Sequence, residues 1–246
     1  MSPLWRNRYS VALHPQRAVV VRRRRGLRTV AEPVHAETWA GAPSQPNWRE
    51  AAQAFERLAQ HIKQQGGDSV SVVLSNHFVR YLLIPWSDRI ASAEEFGNYA
   101  AASFADVYGV VAEDWELCVS RERAGAPRVA AAVDRALLEA LRAAAAAARL
   151  RIKSIKPHLM AAFNRFAQRR RAERFVFATA EDERVCVLVA QAGAWRHVGC
   201  MAIAQPQDVA IPALIDRELR LVGVVDDPPS FIHADDSERA LAALAM

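Results

Sequence analysis

Seven histidines, His14, His35, His61, His77, His158, His197 and His233, are the side chains of this 246-residue sequence best suited to move protons or hold a metal. No two of them stand as HxH or HxxxH, so no strand or helix offers a local ligand pair. Carboxylates cluster at Glu181-Asp182-Glu183, Asp226-Asp227 and Asp235-Asp236. Paired acids do general acid–base work when their environments separate their proton affinities. The two Asp-Asp pairs lie between apolar runs, where a solvated turn and a helix cap account for them. No serine sits in GxSxG, and neither GxGxxG nor GxxxxGK[ST] occurs. Ten glycines in 246 residues are few for an enzyme that cradles phosphate on backbone N–H groups. A triad assembled from distant residues is left open by this inventory.

The remaining chemistry is charge. The net charge is +5. Arg22, Arg23, Arg24 and Arg25 follow an apolar run, and Trp5-Arg6-Asn7-Arg8-Tyr9 interleaves aromatic and basic residues. Stacking plus charge is how single-stranded nucleic acid is held. On a strand, however, successive side chains face opposite ways, so the four arginines divide between two faces. A solvated strand end therefore competes with a phosphate-binding patch. Cys118, Cys186 and Cys200 occupy separate apolar runs outside any CxxC, and they read as buried small hydrophobes in a reducing compartment. No apolar run reaches the ~18–20 residues of a membrane span, and Met1–Arg6 lacks the apolar region of a signal peptide. A cytoplasmic protein is expected. Hydrophobic content of 52% with 24% charge excludes a mainly disordered chain.

These residues are positioned by strands and helices with clear signals. Arg8–Leu13, Ala18–Gly26 and Leu27–Glu37 read as strands, with a turn at His14–Arg17. Asn47 and Glu50 have capping-box spacing for a helix carrying Phe55, Leu58 and Ile62, which Gly66-Gly67 stops. Ser69–Leu74, a pivot at Ser75-Asn76, and His77–Ile84 read as a hairpin. Ser92 and Glu95 cap a helix whose apolar stripe is Phe96, Ala100, Phe104 and Val107. Strands at Trp115–Ser120 and Arg128–Val133 precede a helix with Leu137, Leu138, Leu141 and the alanine run 143–148. Leu150–Ile155 is a strand, and Pro157 opens a helix with Met160, Phe163 and Phe166 inward and Arg169-Arg170-Arg171 at its end. Three strands follow, Arg174–Ala180, Arg184–Ala190 and Ala194–Ile203. Pro212 then starts a helix with Leu214, Ile215, Leu219 and Val222 inward. Ser230–His233 is a short strand, and Asp236 or Ser237 caps a last helix through Leu241 and Leu244.

Three strands and a helix thus open two parts of the chain, at residues 8–64 and 174–222. This duplicated order resembles the actin-like ATPase superfamily. A narrower resemblance lies in Val72-Val73-Leu74-Ser75, Phe78-Val79-Arg80, Leu83-Ile84-Pro85-Trp86, Glu94-Glu95, Tyr108-Gly109, Val129–Asp134 and Ile155-Lys156-Pro157. That succession is similar to the cytoplasmic part of type II secretion protein L and to the PilM family of pilus-assembly proteins. The resemblance implies an α/β, two-lobed actin-like (ribonuclease H-like) fold of reduced size, with mixed sheets flanked by helices. The expected lobes are residues 1–171 and a smaller 172–246.

It also implies three nucleotide sites, and each departs from the family pattern. The first turn should resemble Asp-x-Gly-(Ser/Thr) but reads His14-Pro15-Gln16, with no carboxylate, no glycine and a proline that removes a donor. The second turn, with Glu181 and Asp182, also lacks glycine. The adenosine site should hold a glycine pair and has His233-Ala234 instead. The expectation is a non-catalytic scaffold of a type IV pilus or type II secretion-like assembly, without cofactor or metal, recruited to the inner membrane by the cytoplasmic tail of a membrane partner. Arg22, Arg23, Arg24 and Arg80 are the candidate contacts to that partner or to anionic lipid, and a homodimer is left open. The alternatives are an atypical actin-like ATPase or kinase and a basic nucleic-acid-binding protein, the last being the weakest.

Overall fold

A computed structural model describes residues 8–24, 30–43, 46–90, 92–167, 173–203, 211–224 and 228–234. The expectations at Trp5–Asn7, Arg25, Arg169–Arg171, Asp226-Asp227, Asp235-Asp236 and the last helix lie outside these residues. In chain order the elements are β1 (Arg8–Leu13), β2 (Arg17–Arg24), β3 (Val30–Thr38), α1 (Trp48–Gln64), β4 (Ser69–Leu74), β5 (Val79–Ile84), α2 (Ala93–Tyr108), β6 (Trp115–Val119), β7 (Arg128–Asp134), α3 (Arg135–Ala147), β8 (Arg151–Pro157), α4 (His158–Ala167), β9 (Phe175–Glu181), β10 (Arg184–Gln191), β11 (Ala194–Ala202), α5 (Ile211–Leu221) and β12 (Ser230–Ala234). The duplicated opening is present: β1–β3 then α1, and β9–β11 then α5.

The chain forms two compact units that interleave in sequence. One is Met1–Phe78, Ala136–Gln168 and Ala234–Met246; the other is Val79–Arg135 and Arg169–His233. Residues 79–135 therefore cluster with the second half of the chain.

The first unit holds a five-stranded mixed sheet in the order β3-β2-β1-β4-β8. The meander β1-β2-β3 is antiparallel, while β4 runs parallel to both β1 and β8. Val11, Leu13, Val70 and Val72 alternate onto a buried face, as a period of two requires. Phe55, Leu58 and Ile62 of α1, at helical spacing, are fully buried. Each such side chain contributes about 1.5–3 kcal/mol over leaving it in water. Asn47 caps α1, but its Oδ1 accepts from the N–H of Arg49. Gly66, at φ +77°, takes the left-handed conformation that ends the helix.

The expected Ser69–Ile84 hairpin is not formed. β4 stays beside β1, whereas β5 joins a different sheet and pairs with β7. Two polar residues between apolar runs gave a true turn signal; they did not fix where the next strand pairs. The pivot is fully buried and its polar groups are used. Ser75 N–H donates to the Leu13 carbonyl at 2.8 Å, extending the β1–β4 ladder. Ser75 Oγ accepts from His77 N–H, and Asn76 Oδ1 accepts from Leu159 N–H at 3.0 Å. Asn76 thus caps α4 from a distant part of the chain. On α4 the buried residues are His158, Leu159, Ala161 and Ala162, with Phe163 and Phe166 only half-buried, so the inward face is offset from the expected one.

In the second unit, β5-β7-β6 form an antiparallel sheet and β11-β10-β9-β12 form another. Ser92 Oγ accepts from Glu95 N–H and starts α2, whose Phe96, Ala100 and Phe104 pack with Ile84, Ala130 and Ala132. Val107, expected in that stripe, is 60% exposed. Tyr108 takes its place, with its ring against Phe104 and Trp115. The second core gathers Val176, Val185, Val187 and Val189 against Ile215 and Leu219 of α5. Cys186 and Cys200 stand directly opposite on β10 and β11 and form a disulfide, while Cys118 is exposed. This corrects the expectation of three buried thiols. Antiparallel pairing makes neighbours of two cysteines that fourteen residues of sequence keep apart.

Candidate functional site: closed turns and an open strand edge

The first turn, between β1 and β2, is a filled corner. His14 and Pro15 are buried. The His14 N–H is spent on the Arg17 carbonyl at 2.8 Å, and Pro15 has no N–H to give. The carbonyls turn toward Trp39, whose Nε1–H donates to Pro15 at 2.7 Å and whose backbone N–H donates to Gln16 at 3.0 Å. Gln16 Nε2 donates to the Gly41 carbonyl. A phosphate needs several convergent N–H donors. This corner instead packs an indole against its acceptors, so the residues present do not fit a nucleotide phosphate. Trp39 was not singled out by the sequence; a lone tryptophan just past a strand was its only signal.

The second turn is equally occupied. Glu181 and Arg184 are cross-strand partners on β9 and β10. Glu181 is buried, and only Asp182 stands out at the tip. Tyr81 of β5 shares this environment. Burial holds its phenol well above the ordinary value of 10.0, and the Glu181 charge adds to that. The Arg184 guanidinium is lowered chiefly by burial and then by Arg80, with Glu181 acting in the opposite direction. The Glu181 carboxylate therefore acts on the buried Tyr81 phenol and on the Arg184 guanidinium. The third place, His233-Ala234, is the end of strand β12.

The four candidate arginines do not make one surface. Arg22 lies opposite Glu32 on β3 and forms a forked ion pair with it, the closer contact at 2.5 Å. That bond raises the Arg22 proton affinity. Arg23 points to the other face, opposite Arg8. Arg80 belongs to the second unit, beside Arg184. The side chain of Arg24 is outside the described residues. Among the described residues no three His, Cys, Asp or Glu side chains come together as metal ligands, and no helix is long and apolar enough to cross a membrane.

Among the strands that end a sheet in the described residues is β6. The order β5-β7-β6 leaves β6 with a strand on one side only among the described residues. Unpaired N–H and C=O rows accept an added strand unless charge or proline protects them. β3, at the edge of the other sheet, carries Pro33, Glu32 and Glu37, and β8 exposes Arg151, Lys153 and Lys156. β6 carries a single charge, Glu116. The two-turn 3-10 helix Gly109–Asp114 that feeds it exposes Val110 (82%) and Val111 (51%), next to Val107 at the end of α2. Val110 and Val111 lie outside every helical stripe read from the sequence, and Val107 was expected on the buried stripe of α2 but is exposed.

No protein-family model and no curated protein matches the chain. Solved structures do. The cytoplasmic domain of EpsL, an inner-membrane component of the type II secretion system of Vibrio cholerae, is 17% identical with a TM-score of 0.57, over 97% of this chain and 93% of that one. A chain of a PilM–PilN type IV pilus biogenesis complex is 12% identical with a TM-score of 0.61, over 97% and 84%. A Bacteroides thetaiotaomicron protein of unknown function with an actin-like ATPase fold is 7% identical with a TM-score of 0.59, over 99% and 89%. The chain has the actin-like fold, in mixed sheets flanked by helices and reduced in size.

Proposed function

We propose that this protein is a non-catalytic scaffold of a type IV pilus or type II secretion-like assembly, which binds a short cytoplasmic segment of a membrane partner. The observation that carries the reading is the filled first turn: Trp39 and Pro15 occupy the corner where an actin-like ATPase would hold phosphate. Its setting is the likeness of the whole chain to the EpsL cytoplasmic domain and to a chain of the PilM–PilN complex. The chain acts at the cytoplasmic face of the inner membrane and needs no nucleotide. The partner segment adds as a strand to β6, with apolar side chains resting on Val107, Val110 and Val111. Strand addition suits a short tail, because the backbone supplies the affinity and a few side-chain contacts supply the choice of partner.

Two measurements test this. In a thermal-shift titration, a nucleotide ligand at a hundredfold excess over its Kd stabilises by ~2.7 kcal/mol. Millimolar Mg·ATP is expected to leave the melting temperature unchanged, and a saturable rise would favour an atypical ATPase instead. In a binding assay with cytoplasmic tails of membrane proteins encoded nearby, one tail is expected to bind the wild type and to lose at least tenfold affinity for Val110→Lys. Val110 is 82% exposed, so the variant keeps its fold. Equal binding by the variant would remove β6 from the interface, and binding of no tail would remove the scaffold reading.

A further inference from the structure

One face of the first unit's sheet is an ordinary apolar core; the other changes character at the start of β1. There a cleft of about 300 Å³ is lined by Arg8 and Arg23 from the sheet, Lys153 and Lys156 from β8, and Arg165 from α4. No Asp or Glu is among its described lining residues. Three serines form its floor. Ser10 is level with Ser71, and Ser71 with Ser154, so their side chains make a row across β1, β4 and β8. A hydroxyl row on a sheet face gives up apolar packing on three adjacent strands and offers neutral donors in return.

The charges are arranged against themselves. Arg8 and Arg23 are directly opposite on β1 and β2, a placement that destabilises like charges. Arg23 has two buried guanidinium nitrogens, Nε and Nη2, with no hydrogen-bond partner among the described residues. Its proton affinity is lowered by burial first, then by Arg8 and Arg165. Buried unpaired donors and unscreened like charges both cost stability, and a multivalent anion between them relieves both at once. Guanidinium forks match the oxygens of a phosphate group, whose charge can answer Arg8 and Arg23 together where a single carboxylate answers one.

We propose that this cleft is a binding site for a phosphate-bearing anion, held by Arg8, Arg23 and Arg165 above the serine row. The site is distinct from the filled turn at His14–Gln16. That turn lies at the other end of β1, about 17 Å along the strand at ~3.4 Å per residue. The inference does not rest on the scaffold reading. A concave cleft of this volume holds one or two phosphate groups and does not track a nucleic-acid backbone. The phosphate can come from a soluble phosphorylated compound or from a lipid headgroup, and the two are separable.

The test uses the full chain at low ionic strength with two probes. Inorganic pyrophosphate is titrated by calorimetry and thermal shift, and vesicles of phosphatidylcholine with or without phosphatidic acid are tested by co-sedimentation. Arg23→Gln is the test variant, and Arg149→Gln, an exposed arginine outside the cleft, is the control. Without anion, Arg23→Gln is expected to melt no lower than the wild type, because a like-charge contact is relieved. Binding should weaken at least tenfold in Arg23→Gln and stay within twofold in the control. Pyrophosphate binding with that pattern assigns a soluble phosphate compound, and vesicle binding with that pattern but no pyrophosphate binding assigns a headgroup. Both responses together assign a site open to either source. The proposal is overturned if neither probe binds, as would follow if acidic residues of the chain itself fill the cleft. It is also overturned if Arg23→Gln binds as tightly as the wild type.

Discussion

Replacing Asn76 by alanine probes the junction between β4 and β5. Asn76 is 1% exposed, and its Oδ1 accepts from the N–H of Leu159, 83 residues further on, at 3.0 Å. Leu159 is the second residue of α4, and its N–H is one of the four at a helix start with no partner inside the helix. Alanine leaves that donor buried and unpaired, which costs about 1–3 kcal/mol. Read instead as a lost helix cap, the same bond is worth about 0.5–2 kcal/mol. These are two views of one interaction and do not add, so a loss of about 2 kcal/mol is expected. With a urea slope of about 2 kcal/mol/M, the unfolding midpoint should fall by about 1 M. Asn47→Ala is the comparison, since it removes a cap of the same chemistry from an exposed helix start. It should cost about 0.5–1 kcal/mol, and amide exchange at Leu159 should quicken only in Asn76→Ala. A smaller loss for Asn76→Ala than for Asn47→Ala would refute the reasoning, because the Leu159 N–H would then have another acceptor.

Two further outcomes follow from the second unit. The Tyr81 phenol is held well above 10.0 when folded, so above about pH 10 the unfolded chain releases a proton that the folded chain keeps. Folding stability is therefore full below pH 10 and declines above it, by up to about 1.4 kcal/mol per pH unit from this group. Tyr81→Phe should show a shallower alkaline decline in denaturant titrations between pH 9 and 11; equal slopes would mean that Tyr81 ionises freely. The Cys186–Cys200 pairing predicts one reactive thiol, Cys118, in the native unreduced protein and three after reduction in denaturant. Reduction should lower stability by about 3 kcal/mol for a loop of this length. Three reactive thiols before reduction would refute the pairing.

Most element boundaries were legible because they depend on local chemistry. Arg8–Leu13 and Ser69–Leu74 are short alternating or apolar runs bounded by turn residues, and Ser92 with Glu95 starts α2 through a bond three residues long. Pairing was not legible, because it depends on partners far along the chain. Ser75-Asn76 has the composition of a hairpin turn, yet Ser75 follows Leu13 and Asn76 answers to Leu159, so the chain leaves one sheet and enters another. The cysteines failed for the same reason: their proximity is a matter of register across β10 and β11. At the candidate sites, the missing glycine and carboxylate of His14-Pro15-Gln16 could be read directly. Trp39, which fills the space, could not, since nothing in its neighbourhood marks it as the residue that folds back. The serine row was hidden more deeply. Ser10, Ser71 and Ser154 are unremarkable singly, and only the parallel register of three strands aligns them.

The placement of β4 also sets a timetable for synthesis. Its neighbour β1 has already emerged when β4 leaves the ribosome, but β8 and the Leu159 N–H that Asn76 awaits are more than eighty residues behind. At ~5–20 residues per second, the growing chain carries β4 with one open edge for ~4–17 s. The residues made meanwhile include β5, β6 and β7, whose strand partners lie among themselves. Ser69 and Ser71, interleaved with the valines of β4, keep the waiting edge less sticky than an all-aliphatic strand. The polar row beneath the cleft serves the chain once before any ligand arrives.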